Sequence, residues 1–275
     1  MCGIAGVFNA AGVDTSPVSS MARALAHRGP DDHTVRRYGG KKPYAAIGIE
    51  RLSFVDVSHG TQPAADASGR WRVSLNGEIY NHTRIAKELI ADGVTLTSNS
   101  DTALMAALIA RTGLERALER CHGMFAMAVL DTVQRRVFLV RDRMGVKPLH
   151  WTRLPDGTLA WASEIKGLRQ HPQLNPHIDP IAVQQFLLFE YIPTPRTIWQ
   201  EVHKVAPGTW VSADARGVHH HRWWVPPVAP GGSAGNFDRW ARSVRGALQV
   251  SVHQRMEADV PVGYLLSGGV DSGGI

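Results

Sequence analysis

Cys2-Gly3-Ile4-Ala5-Gly6-Val7-Phe8 stands directly behind Met1. Gly3 to Phe8 reads as a short buried strand, and the residue ahead of it carries a thiol. If Met1 is removed, that same residue also carries a free α-amine, with an ordinary pKa of about 7.7–8.0. Such an amine can serve as general base for its own side chain, so the arrangement needs no catalytic histidine. Taken alone, Cys2 reads more readily as a small buried cysteine at a chain end. Only the rest of the chain can decide between the two.

The chain has 275 residues, 44% of them hydrophobic and 20% charged. That is the composition of a folded chain with one large or two ordinary domains, and it excludes disorder. Apolar runs such as Met124 to Leu130 are too short to cross a bilayer. The start lacks the basic and long apolar stretches of a secretory signal. With two cysteines, Cys2 and Cys121, and so no disulfide framework, a cytoplasmic protein without membrane partners is expected. A net charge of +6 invites a nucleic-acid reading. The basic residues, however, stand beside acids, as in Arg141-Asp142-Arg143, and no basic stripe interleaved with aromatics occurs, so no nucleic-acid partner is expected. His203 and His219-His220-His221 do not read as a metal site, because consecutive residues of a strand point in alternating directions.

Along the chain, Ser16-Pro17 predicts a helix start, with Val18, Met21 and Leu25 on one face and a stop at Gly29-Pro30. Strands are predicted at Ala45 to Arg51 and at Trp71 to Leu75, with Asn76-Gly77 as a turn before Glu78-Ile79-Tyr80. Helices come next, one capped by Asn81 and carrying Ile85 and Leu89, another started by Asp101 with Leu104 and Leu108. Further strands are predicted at Phe125 to Leu130, Arg136 to Val140 and Thr158 to Ala162, then helices at Glu164 to Gln170 and Pro180 to Phe189. Two packed sheets flanked by helices account for this order. Val225 to Asn236, rich in Pro, Gly and small residues, reads as linker. Phe237, Trp240, Val244, Leu248, Val252 and Met256 then mark an amphipathic helix. Val260 to Leu266 reads as an apolar strand entering Ser267-Gly268-Gly269-Val270-Asp271-Ser272. That is a nucleotide site without a following helix, as if the domain were cut off at its first loop.

Five groups occur in order: Cys2 to Gly6, His27-Arg28-Gly29-Pro30-Asp31, Arg51-Leu52-Ser53, Asn76-Gly77-Glu78-Ile79-Tyr80-Asn81 and Ser100-Asp101-Thr102. Together they resemble the class II, N-terminal nucleophile glutamine amidotransferase domain. Arg141 to Leu149 and Ala162-Ser163-Glu164-Ile165-Lys166 narrow the resemblance to the glutamine-hydrolysing asparagine synthetases, and Ser267 to Ser272 is similar to that family's pyrophosphate-binding loop.

The resemblance implies an α/β fold, a four-layer αββα sandwich over residues 2–215. A linker would span 216–236, and 237–275 would be the incomplete start of an ATP-pyrophosphatase domain. It implies catalysis by Cys2, with Asn76 and Gly77 as the oxyanion hole. Glutamine would be held by Arg51, Leu52, Ser53, Phe54, Val55, Glu78 and Asp101. ATP would meet Leu266, Ser267, Gly268, Gly269, Asp271 and Ser272, with magnesium near Asp271. No metal is implied in the glutaminase half. Glutamine, aspartate and ATP would be the substrates of the intact protein, this chain retaining only the glutaminase half. The apolar helix face would favour self-association, at simplest as a homodimer. The alternatives are a related amidotransferase with another acceptor and a non-catalytic binding protein.

Overall fold

The opening run forms strand β1 (Gly3–Phe8), buried at every residue. In the computed structural model, which describes residues 1–53, 56, 60–227, 236–256 and 258–275, β1 lies inside a sheet. The chain continues through helix α1 (Val18–Arg23), β2 (Asp32–Tyr38), β3 (Ala45–Arg51), β4 (Ala64–Ala65) and β5 (Trp71–Ile79). Helices α2 (His82–Ala91), α3 (Asp101–Thr112) and α4 (Leu114–Arg120) come next. Strands β6 (Gly123–Asp131), β7 (Arg136–Arg141), β8 (His150–Arg153) and β9 (Leu159–Ala162) lead to helices α5 (Ile165–Leu168) and α6 (Pro180–Phe189). Strands β10 (His203–Lys204), β11 (Thr209–Asp214) and β12 (Gly217–Arg222) are followed by helices α7 (Phe237–Gln254) and α8 (Val270–Gly274).

The strands make two sheets, ordered β10-β8-β9-β1-β3-β2 and β12-β11-β7-β6-β5-β4, and every pairing is antiparallel. Side chains alternate across each strand, and the sequence uses both faces. From β1, Ile4 and Phe8 enter the core between the sheets, while Ala5 and Val7 pack with Val18, Met21 and Leu168 of the α1–α5 layer. From β6, Ala126, Ala128 and Leu130 face that same inter-sheet core. Phe125, Met127 and Val129 face Ile85, Leu104 and Leu118 of α2 to α4. Burial on both sides explains why Met124 to Leu130 is continuously apolar. The architecture is the expected four-layer αββα sandwich.

Several local expectations are corrected. Asn76-Gly77 does not turn the chain but lies inside β5, opposite Ala126 and Phe125 of β6. Ser16 bonds Asp14, and Pro17 occupies the cap of α1. Ser100, not Asp101, caps α3 by accepting from Ala103 N. The stretch expected as linker from 216 begins with β12, which pairs along β11; residues 228–235 lie outside the described chain. Val260 to Leu266 forms no strand among the described residues, having no neighbouring strand to complete its hydrogen bonds. The glycine loop is followed by a helix after all, the single turn of α8. No residue of α7 is buried, and Phe237, Trp240, Val244 and Leu248 are exposed as expected.

Gly6 shows how tightly β1 is fitted. A Cβ there would overlap the Trp161 ring and the Ala46 carbonyl oxygen on the two flanking strands. Neither a fully buried ring nor strand backbone can retreat cheaply. Gly6→Val is therefore expected to lower stability by about 3 kcal/mol or more, read as a fall in the urea midpoint at unchanged slope.

Candidate active site

Gly3 pairs with Glu50, so Cys2 leaves the sheet beside Arg51, the last residue of β3. Cys2, Arg51, Leu52, Gly77 and Asp101 line one narrow cleft. Gly60, Gln62, Leu75, Ser100 and Thr102 line it too, and the motifs pointed to none of these except Ser100 and Thr102, which flank Asp101. Gln62 carries no local signal: its side-chain amide accepts from Leu75 N at 2.8 Å and donates to Leu75 O at 3.2 Å, imitating a strand neighbour for β5.

Cys2 is buried, with its Sγ 3.8 Å from Leu52 O. Burial pushes the thiol pKa up, against the opposing pull of the Leu52 contact, the chain's amino terminus and Arg51. The sulfur therefore needs a base to become a nucleophile. The amino terminus, here on Met1, is shifted the opposite way: burial lowers its pKa, and the nearby cations Arg28 and Lys147 add to this. Lys147 is itself buried and sets its Nζ 2.6 Å from Met1 Sδ. An amine in that place is biased toward its free-base form.

Two motifs hold the main chain at Cys2 and Ile4. Arg28 Nε donates to Cys2 O at 3.2 Å and Arg28 Nη1 to Glu164 Oε1 at 2.6 Å. Ile4 N donates to Ser163 Oγ at 3.0 Å. Asp31 accepts from Ser53 N at 2.7 Å, which places Ser53 behind the cleft wall rather than in it. Burial disfavours the Glu164 charge, but hydrogen bonds from Arg28 and His27 outweigh this and hold its pKa at about 2. The segment from Arg141 is a structural corner. Asp142 accepts from Phe125 N, Met144 N, Val146 N and Lys147 N, and the Arg141 guanidinium donates to three carbonyls.

The Asn76 side chain is wholly buried, and neither Nδ2 nor Oδ1 has a hydrogen-bond partner among the described residues. A buried amide left so costs free energy, so an unpaired one points to a ligand. Gly77 comes next at φ +149°, and a Cβ there would overlap Met124 O. Only glycine lets β5 approach β6 this closely. Arg51 is buried and donates to Asp56 O at 2.9 Å. Asp101, relieved of capping by Ser100, accepts from Ile79 N and Thr102 Oγ1, both at 3.2 Å. Burial raises its pKa despite those bonds, so an ammonium beside it would be favoured. Glu78 is buried on β5 next to Gly77. Phe54 and Val55 lie outside the described residues.

The cleft thus offers a thiol, a cation for a carboxylate and an anion for an ammonium, while the idle amide of Asn76 is buried between two residues that line it, Leu75 and Gly77. Cys121 is a different thiol, buried just beyond α4 rather than within it, its pKa pushed by burial to about 12. In the terminal loop Gly268 has φ +78°, the Ser267 and Ser272 hydroxyls meet at 2.9 Å, and Leu266, Ser267, Gly268, Gly269 and Asp271 are exposed.

Residues 1–224 match the glutamine amidotransferase domain family, and residues 243–275 match the asparagine synthase family. Over 99% of its length the chain is 34% identical to glutamine-hydrolysing asparagine synthetase 1 of Bacillus subtilis, of which it covers 43%. It is 35% identical, again over 99%, to a putative glutamine-hydrolysing asparagine synthetase of Mycobacterium tuberculosis, of which it covers 44%. The chain thus spans less than half the length of these relatives. Among solved structures, an allosteric regulatory enzyme of purine biosynthesis superposes with a TM-score of 0.63 at 18% identity, covering 82% of this chain and 50% of the other. The Bacillus subtilis glutamine phosphoribosylpyrophosphate amidotransferase gives a TM-score of 0.58 at 18% identity, with the same coverage of 82% and 50%. These likenesses show a shared fold.

The Arg28–Glu164 clamp sets an acid limit. The Glu164 carboxyl has a folded pKa of about 2 against an ordinary 4.5. Its stabilising contribution is complete above pH 4.5 and lost as pH falls to 2. Urea midpoints of the unsubstituted chain and Glu164→Gln should therefore differ most above pH 4.5 and converge toward pH 2.

Proposed function

The chain belongs to the glutamine amidotransferase domain family, and from that premise we propose that it hydrolyses glutamine to glutamate and ammonia at Cys2. The observation that carries this reading is the buried, unpaired carboxamide of Asn76 beside a cleft holding Cys2, Arg51, Gly77 and Asp101. The Arg51 guanidinium takes the glutamine α-carboxylate. Asp101, with Glu78 beside it, takes the α-ammonium. Leu52, which lines the cleft, contributes main-chain contacts, and the family resemblance adds Ser53, Phe54 and Val55 to that role. The side-chain carboxamide of glutamine is left against Cys2.

Removal of Met1 turns the Cys2 backbone nitrogen into a free α-amine, one residue along from the terminus that lies near Arg28 and Lys147. That amine takes the thiol proton as Sγ attacks the amide carbon. The oxygen of the tetrahedral intermediate becomes an anion, and Asn76 Nδ2 and the Gly77 N–H donate to it. The amine returns the proton to the departing nitrogen, the C–N bond breaks and ammonia leaves. Water then attacks the thioester carbon, the amine takes its proton, and glutamate is released as the thiol is reprotonated. A thiol raised by burial suits this scheme, since it stays neutral until its base acts.

For the intact protein we extend the reading to ATP-dependent amidation of aspartate in the cytoplasm, supported by the names of its relatives and the match at 243–275. There Leu266, Ser267, Gly268, Gly269 and Ser272 would meet the ATP phosphates, and Asp271 their magnesium. The loop suits this, since nothing crowds Gly268 and hydroxyls flank it.

Intact mass should show loss of Met1, and Cys2→Ala should abolish ammonia release while remaining folded. A glutamine-like electrophile should label Cys2 and spare Cys121. Full glutaminase activity with Met1 retained would overturn the self-base mechanism.

Kinetics should separate the two walls of the cleft. Arg51→Ala should chiefly raise KM, because the carboxylate contact exists in ground and transition states alike. Asn76→Ala should lower kcat by about 10²–10³-fold, as expected of an oxyanion donor. The opposite pattern would exchange their roles.

A further inference from the structure

Asp56 joins three parts of the molecule. Its carbonyl accepts from Arg51 Nη2 at 2.9 Å, and its carboxylate accepts from Asn99 N at 3.1 Å, two residues before Asp101. Its own N–H donates to Asp259 Oδ2 at 2.7 Å, across 203 residues of sequence. Asp56 has φ +47°, a left-handed conformation uncommon outside glycine, asparagine and aspartate. Such a backbone persists only where its surroundings hold it. Here a carboxylate holds the N–H side while a guanidinium holds the C=O side.

A second contact joins the same regions. The Arg255 guanidinium lies 4.3 Å from the ring centroid of Tyr80, and Tyr80 directly succeeds Ile79, whose N–H supports Asp101. Arg255 and Asp259 both fall within 243–275, the part matching the asparagine synthase family. Asp56 and Tyr80 fall within 1–224. The short segment after α7 therefore touches the supports of both charged groups in the cleft.

We propose that Asp259 is a positioning residue for glutamine binding: by holding the Asp56 N–H it fixes the Asp56 carbonyl that orients the Arg51 guanidinium. The second region of the chain thereby sets the affinity of the first for its substrate. This rests on the glutaminase reading above. Asp259 makes no contact with the thiol or the oxyanion hole, so its effect falls on binding and leaves the chemical step alone. Because Asp259 is exposed, shortening it opens no cavity in the core.

The unsubstituted chain, Asp259→Ala and Asp259→Asn are compared in steady-state glutamine hydrolysis, with a urea midpoint for each. Asp259→Ala removes a charge-assisted acceptor and should raise KM for glutamine about fivefold to tenfold, with kcat changed less than about twofold. Asp259→Asn keeps an oxygen acceptor and should recover most of the lost affinity. A merely structural contact would lower the urea midpoint without the KM shift. An unchanged KM in Asp259→Ala, or a fall in kcat alone, overturns the proposal while glutaminase activity stands. Absence of hydrolysis by the unsubstituted chain overturns the glutaminase reading instead.

Discussion

Because β1 lies between β3 and β9 with all six of its residues buried, the chain ahead of Gly3 emerges where β3 ends, and the thiol is delivered beside Arg51. The other half of the cleft comes from the second sheet, where β5 carries Asn76 and Gly77. The spacing between Cys2 and the Asn76-Gly77 pair therefore depends on how the two sheets stack. Ala45, Ala126 and Ala128 contribute small side chains to that inter-sheet core, and Ile4, Ile49 and Trp161 fill the space they leave. Packing at interior density leaves little freedom for either sheet to slide. A core of aliphatic and aromatic side chains thus sets the geometry of a site made of charged and polar ones.

The motifs divide between chemistry and support in a way the fold makes clear. His27 to Asp31 and Ala162 to Lys166 contribute no nucleophile. Arg28 and Ser163 instead fix the main chain around Cys2, and Asp31 fixes Ser53. Asp142 gathers four backbone N–H groups at one corner, and Lys147 reaches from that corner to the amino terminus. Near the thiol, the charges of Arg28, Arg51 and Asp101 are each held by main-chain groups or a fixed partner, the condition under which a desolvated charge can be kept in place.

Much of this was legible in the sequence because its signals are local. Both-face burial made β1, β3 and β6 plain as apolar runs, and the order of motifs singled out Cys2, Arg51 and Asp101, which line one cleft. The edges were not legible. β2 reads Asp32-His33-Thr34-Val35-Arg36-Arg37-Tyr38, and β12 carries three histidines and an arginine. Strands at sheet borders take polar residues that blunt their free edge, and so lose the apolar pattern that reveals a strand. Asn76-Gly77 misled for another reason. The dipeptide that usually turns a hairpin here serves a close approach between β5 and β6, a requirement that exists only once the strands are paired. Gln62 gave no signal, since its partner Leu75 is a matter of tertiary placement.

The idle amide of Asn76 has a consequence for how such a chain changes over generations. A buried donor and acceptor without partners cost about 1–3 kcal/mol each, against a total stability of about 5–15 kcal/mol for a domain. An apolar side chain of similar size would relieve that cost while removing the donor that the proposed chemistry uses. Once selection for amide hydrolysis lapses, drift at this one position is rewarded by firmer folding. A descendant that had lost its activity would then be sturdier than its working ancestor, and its silence would be hard to reverse.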